Sequence, residues 1–137
     1  GRSLDLMRPT TALVAAALAA AALPTAASAR SAFFLSPTKN LGCQVVDNDA
    51  RLRPSAYCQS YASRTSVTLS KDGRLRVCRT SSRCIGDAPF GTGTLAYGRS
   101  RTVGRFRCTS RRDGIRCVVR STGRGFRIDR TSVRPIR

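Results

Sequence analysis

GRFRCTSRRDGIRCVV, residues 104–119, is a β-hairpin written in alternating residues. A four-residue loop, Arg111-Arg112-Asp113-Gly114, places Gly last, at the position that needs a positive φ. Ser110 then faces Ile115, Cys108 faces Cys117 and Phe106 faces Val119. Directly opposed, non-hydrogen-bonded residues on antiparallel strands have Cβ atoms close enough for a disulfide. This register therefore predicts a Cys108–Cys117 bridge, with Phe106 and Val119 on the same face. Arg105, Arg107, Arg116 and Arg120 take the opposite face, and Arg111 and Arg112 sit at the tip.

The same period runs through the rest of the chain. Ser66–Val77, SVTLSKDGRLRV, reads as a second hairpin around a Lys71-Asp72-Gly73 loop, with Leu69 opposite Leu75 and Val67 opposite Val77. Further strands are expected at 32–35, 43–46, 56–61, 94–97 and 125–128. Turns are expected at Ser36-Pro37, Asp87-Ala88-Pro89 and Gly91-Thr92-Gly93, and residues 99–101 read as an exposed loop. No long helical stripe follows Pro24. Short strands between frequent turns predict an all-β fold, a small antiparallel barrel or sandwich of hairpins stapled by disulfides. The expected core is Phe34, Val45, Val67, Leu69, Leu75, Val77, Leu95, Phe106, Ile115, Val119, Phe126 and Ile128.

The beginning of the chain has a different character. Met7-Arg8 is followed by the apolar run Ala12–Leu23, the helix-breaking Pro24 and the small-x-small site Ala27-Ser28-Ala29. This is the pattern of a cleaved secretory signal peptide over residues 7–29, with cleavage between Ala29 and Arg30. The apolar run is shorter than the roughly 20 residues that a bilayer span requires. Gly1–Leu6 precede the initiator Met7 and read as an appended or mis-assigned start. The mature chain is then a single domain, residues 30–137, without a transmembrane span. An even count of six cysteines in an exported chain reads as disulfides. Proximity in sequence assigns the other two pairs as Cys43–Cys58 and Cys78–Cys84. Loops of this size contribute about 2–3 kcal/mol each by chain-entropy reasoning.

Composition excludes several function classes. The 137 residues include neither His nor Glu nor Trp. Without His, Ser-His-Asp and Cys-His machines cannot be built, and the commonest metal ligand is missing. No Cys-x-x-Cys pair, nucleophile elbow or Ser-x-x-Lys phrase occurs. Asp47-Asn48-Asp49 lacks the Gly and Glu of a calcium loop and reads as a turn; Asp72 and Asp113 precede Gly and also read as turn residues. The expectation is a protein that is not an enzyme and holds neither metal nor cofactor.

Charge is the strongest signal. There are 25 Lys and Arg against seven Asp, a net charge of +18. Removing Arg2, Arg8 and Asp5 with the leader leaves +17 on the mature chain. Only Lys39 and Lys71 are lysines. A high-GC genome accounts for a preference of Arg over Lys, but not for the net charge. Guanidinium forks bind phosphate and carboxylate groups bidentately. Outside a cell the available polyanions are teichoic acids, acidic glycans, released nucleic acid and anionic lipid head groups. Tyr57, Tyr61 and Tyr97 are candidates for stacking on bases, yet no nucleic-acid-binding phrase accompanies them, so no specific reading of nucleic acid is expected. The sequence thus predicts a secreted monomer, binding an anionic polymer or an acidic protein surface through Arg105, Arg107, Arg111, Arg112, Arg116 and Arg120. The alternative is an inhibitor or effector of an extracellular protein, docking through loops 86–94 and 111–114.

Several phrases occur together in a recognisable order. They are Phe33-Phe34-Leu35-Ser36-Pro37 with Asn40-Leu41-Gly42-Cys43, Leu95-Ala96-Tyr97-Gly98, Gly104–Ser110, Gly114-Ile115-Arg116-Cys117 and Gly123-Arg124-Gly125-Phe126. Over residues 33–130 the chain resembles a family of small secreted actinobacterial proteins catalogued as a domain of unknown function. The family pattern runs F-x-SPS-x-NI-x-C, then YG, F-x-C-x-S, G-V-x-C and G-H-G-F. Here Thr38 stands where the family often has Ser, Arg124 replaces a frequent His, and the family's middle Trp is absent. The resemblance implies export, a β-rich domain and disulfides, and no known activity, cofactor or catalytic residue.

Overall fold

The computed structural model describes residues 30–137. The leader assignment over residues 7–29, and Ala29 at its cleavage site, lie outside the described residues. Ten strands follow one another: β1 (Ser31–Leu35), β2 (Leu41–Val46), β3 (Ser55–Ser60), β4 (Thr65–Ser70), β5 (Leu75–Cys78), β6 (Ser100–Val103), β7 (Phe106–Arg111), β8 (Gly114–Val119), β9 (Gly125–Ile128) and β10 (Val133–Ile136). A single 3-10 turn, Ser82–Cys84, lies between β5 and β6. The first five strands form one antiparallel meander and the last five a second, each in sequence order. The two sheets share one core, so the architecture is a sandwich of two five-stranded sheets.

Both predicted hairpin registers are present. Phe106 pairs with Val119, Cys108 with Cys117 and Ser110 with Ile115; Val67 pairs with Val77 and Leu69 with Leu75. The tip of the β7–β8 hairpin is tighter than the four-residue loop expected. Arg111 and Gly114 still pair, leaving Arg112 and Asp113 between the strands. Gly114 has a φ of 129°, and a Cβ there would stand 2.2 Å from the Ile128 carbonyl oxygen, so β9 passes too close for any side chain.

Two expectations are corrected and one strand is added. Residues 94–97 do not form a strand: Thr94 makes an isolated parallel bridge to Leu35, and the chain turns at Gly98. Residues 99–101 are not a free loop, because Ser100–Val103 is β6, an edge strand. Val133–Ile136 adds β10 on the other edge, where Pro135 and its missing N–H are tolerated. Both edges have few buried residues, so period-2 burial leaves little trace in their sequences.

The predicted core residues all join the observed core, with Leu75 and Val77 only partly buried. Ala32, Leu41, Ala56 and Val103 complete it, together with two disulfides. The three bridges are Cys43–Cys58, Cys78–Cys84 and Cys108–Cys117. The first links β2 to β3 and the third links β7 to β8, with Cα atoms 4.1 and 4.0 Å apart. They meet across the sandwich, Cys58 Sγ lying 3.6 Å from Cys117 Sγ.

The link between the sheets crosses the outer face of the first sheet as a strap. The Cys78–Cys84 bridge fixes its start. Gln59 on β3 donates from Nε2 to the Gly86 carbonyl (2.6 Å) and accepts the Gly86 N–H (2.8 Å). The Tyr57 hydroxyl donates to the Cys84 carbonyl at 2.7 Å, and burial raises its pKa above the ordinary phenol value. Hydrogen bonds between Leu35 and both Gly93 and Leu95 fix the far end.

Asp47 supplies a second tie between the sheets. It follows β2 and is 1% exposed. Its Oδ2 accepts the Arg105 backbone N–H at 2.7 Å and lies 3.5 Å from Arg105 Nε, while Oδ1 accepts the Asn48 N–H at 2.8 Å. Asp47 is thus more than the turn residue its sequence suggests. Gly104 (φ 54°) lets the β6–β7 turn reach it, since a Cβ at Gly104 would stand 2.2 Å from Oδ2. Gly104→Ala and Asp47→Ala should each lower stability by about 2–4 kcal/mol, the first through steric displacement and the second by leaving the Arg105 and Asn48 N–H groups without their acceptor and a void where the buried carboxylate stood. Urea unfolding of the oxidised protein measures this; a loss below about 0.5 kcal/mol for both would show that this tie is dispensable.

Candidate cationic face

Pairing in the second sheet places one set of side chains on its outer surface. Ser100, Thr109, Arg116, Arg127 and Arg134 are in register on five neighbouring strands. Thr102, Arg107, Val118, Gly125 and Ile136 form the row beside it. Three arginines therefore stand side by side on β8, β9 and β10, with Arg107 offset by one row on β7. With strands about 4.8 Å apart, the three stems span about 10 Å. Like charges directly opposed across strands cost stability. A surface selected for stability alone would alternate their sign.

Asp113 at the hairpin tip relieves part of that repulsion. Its Oδ2 accepts from Arg127 Nη1 at 3.0 Å and from Arg116 Nη2 at 3.2 Å. Desolvation acts upward on this carboxyl, but the hydrogen bonds and charges of Arg116 and Arg127 outweigh it and hold its pKa below the ordinary value. Asp113 is therefore an ion-pair partner as well as a turn residue. Asp129 likewise lies below the ordinary value, because donors from Thr131 and Ser132 outweigh its desolvation.

Not all the arginines predicted for the face are available on it. Arg107 and Arg116 lie on the strands, as the alternation requires. Arg105 and Arg120 lie beyond the strand ends: Arg105 turns back to Asp47, and Arg120 Nη1 donates to the Gly104 carbonyl at 3.0 Å. Arg105 thus serves the junction between the sheets and Arg120 the β6–β7 turn beside it, so the four side chains are not equivalent. Arg111 continues the face at the tip, and the Arg112 guanidinium lies 4.8 Å from the centre of the Tyr97 ring. Tyr97 thus holds an arginine rather than presenting a free stacking surface. Arg127 and Arg134 were not among the predicted face residues. The signal for Arg127 is the alternation in Gly125–Ile128, which puts it between buried Phe126 and Ile128; Arg134, on an edge strand without alternating burial, has no such signal.

The tip adjoins a cleft of about 550 Å³ at one end of the sandwich. Arg111, Arg112, Asp113 and Arg127 line one side, and Asp129, Arg130 and Thr131 from the β9–β10 turn line another. Residues Ser36, Thr38 and Asn40 from the β1–β2 loop close it. The remaining sulfur cluster has a different explanation. Cys43, Cys58 and Cys117 sulfurs lie within 4.8 Å of one another because two disulfides touch, and each sulfur is already bonded.

Comparison with protein-family models, curated proteins and solved structures finds no match.

Asp113→Asn should raise affinity for dextran sulfate at neutral pH about three- to tenfold, because it removes a fixed anion from between two arginines. A depressed carboxyl is ionised, and contributes stability, above its unfolded value near about 3.9, and it loses that contribution as pH falls through its folded value. Wild-type affinity should therefore rise below about pH 4, and more steeply than that of the Asn variant, in which only Asp129 is left to protonate beside Arg127, since the sulfate charge is constant there. Equal affinities of the two proteins at neutral pH would remove Asp113 from the electrostatics of this face.

Proposed function

We propose that this protein is a secreted, non-enzymatic binding module that engages anionic extracellular or cell-envelope polymers through the outer face of its second sheet. The observation that carries this reading is the row Arg116–Arg127–Arg134, with Arg107 beside it, offset only in part by Asp113 and Asp129. An extended polyanion laid across the strands meets several guanidinium forks at once, each suited to phosphate, sulfate or carboxylate oxygens. Disulfides and the leader pattern support an extracellular setting. No helix among the described residues is long and apolar enough to cross a membrane.

The test is a salt titration against teichoic acid, a heparin-like glycan, duplex DNA and anionic vesicles. The wild-type protein should bind one class saturably and preferentially at about 150 mM salt. Replacing Arg107, Arg116, Arg127 and Arg134 together by Ser should cost at least about tenfold and flatten the salt dependence, since each lost phosphate contact lowers the slope by about one. Replacing Arg51, Arg53, Arg76 and Arg79, an equal charge elsewhere, should change it little. Equal losses in both variants would mean that net charge acts without a site.

One observation favours the second reading, docking on an extracellular protein. Phe90 is fully exposed on the strap, at the corner of a turn closed by the Thr92 N–H to Pro89 carbonyl bond and completed by Gly91 at φ 80°. The strap is fixed on both sides of it, so an apolar anchor is presented on an ordered loop. Binding through Phe90 should survive high salt and fail in Phe90→Ser.

A further inference from the structure

The end cleft differs from the open face in a way that points to a particular ligand. Its two carboxylates are already engaged: Asp113 by Arg116 and Arg127, and Asp129 by the Thr131 and Ser132 backbone N–H groups and hydroxyls. Arg127 is shared with them. Arg111, Arg112 and Arg130 line the same cleft and make no ion pair among the described residues. Arg112 is held against the Tyr97 ring, which reduces the freedom it would lose on binding. Arg111 and Arg127 belong both to this cleft and to the outer face, so the two are continuous.

The number of free forks selects among anions. One bidentate guanidinium fills the two oxygens of a carboxylate. An internal phosphodiester likewise presents two non-bridging oxygens and needs an exit for the chain on each side. A phosphate monoester carries about −1.5 to −2 charge and three acceptor oxygens, which matches three forks and requires one exit only. Resting on the polyanion reading above, we propose that the end cleft binds a terminal phosphate monoester, with Arg111, Arg112 and Arg130 as its ligands and the attached chain running out across the arginine row.

Glycerol 3-phosphate supplies the monoester without a polymer, and the arginine Nε–H resonances in a two-dimensional NMR titration report where it binds. Saturable shifts are expected at Arg111, Arg112 and Arg130, with glucuronate at least about tenfold weaker. Arg112→Ala should weaken glycerol 3-phosphate at least about tenfold, and Arg112→Lys, which keeps the charge but loses the fork, nearly as much. Arg107→Ser with Arg134→Ser should leave it within about twofold. Absence of saturable shifts up to about 10 mM, equal binding of glucuronate, or an equal loss in the outer-face variant overturns the proposal.

A second arm separates the polymer end from free phosphate and this proposal from the reading beneath it. Polyglycerol phosphate ending in a phosphate monoester should bind more tightly than the same polymer after phosphatase treatment, and Arg112→Ala should erase the difference. If the monoester alone binds but the two polymers are equivalent, the ligand is free phosphate and its assignment to the polymer end is wrong. If both polymers bind equally and only the outer-face variant loses them, the cleft assignment fails and the outer face stands. If neither variant changes polymer binding, both fail.

Discussion

Two disulfides touch in the middle of this molecule, and each fixes the strand register of its own sheet. Cys43–Cys58 crosses β2 and β3, Cys108–Cys117 crosses β7 and β8, and their sulfurs approach to 3.6 Å between the sheets. Each bridge locks the register of a strand pair, because a slip by one residue would carry the cysteine to the other face. Phe34, Phe106 and Phe126 then fill the space around the sulfurs with large apolar side chains. Burying each such ring contributes about 2–3 kcal/mol, which in a small domain leaves the bridges a large share of the stability.

The bridges lie within sheets, so they do not by themselves hold one sheet to the other. Apolar contact does most of that, and Asp47 adds direction at one end. A buried carboxylate is costly unless its oxygens are satisfied. Here the Asn48 and Arg105 N–H groups and the Arg105 side chain satisfy it, so the end of β2 must lie against the β6–β7 turn. The opposite end of the sandwich is left to the hairpin tip and the β9–β10 turn, and there the cleft opens. The strap from Cys84 to Thr94 covers part of the first sheet's outer face. The second sheet's outer face has no such cover, and that is where the arginines stand.

Much of this was legible because a strand's parity is visible when one face is apolar and the other charged. Phe106, Cys108, Ile115, Cys117 and Val119 declare the hairpin, its register and its bridge without knowledge of anything distant. The Leu69–Leu75 and Val67–Val77 pairs do the same for the other. Edge strands resist this treatment: Ser100–Val103 buries one residue and Val133–Ile136 none fully, so their pairing depends on neighbours far along the chain. The Asp47–Arg105 contact spans 58 residues, and the Arg116–Arg127–Arg134 row requires three strands to be in register. Sequence alternation shows which way an arginine points, but not which arginines it will stand beside.

That difference bears on how the charge is interpreted. A high net charge can arise from genome composition, and composition would scatter arginines wherever solvent tolerates them. Register is another matter. Arg127 is opposed on one side by Arg116 and on the other by Arg134, two unfavourable neighbours that single substitutions would remove. Asp113 offsets part of the repulsion from the hairpin tip, and its carboxyl is held ionised by the arginines it serves. By contrast, Arg105 has been drawn into the junction between the sheets and Arg120 onto the β6–β7 turn. The same residue type therefore does two jobs on one hairpin: at one end Arg105 satisfies the buried Asp47 carboxylate and Arg120 ties the β6–β7 turn, and along the exposed face it accumulates charge. A cost retained on an uncovered face is what the proposed polyanion-binding role accounts for and composition alone does not.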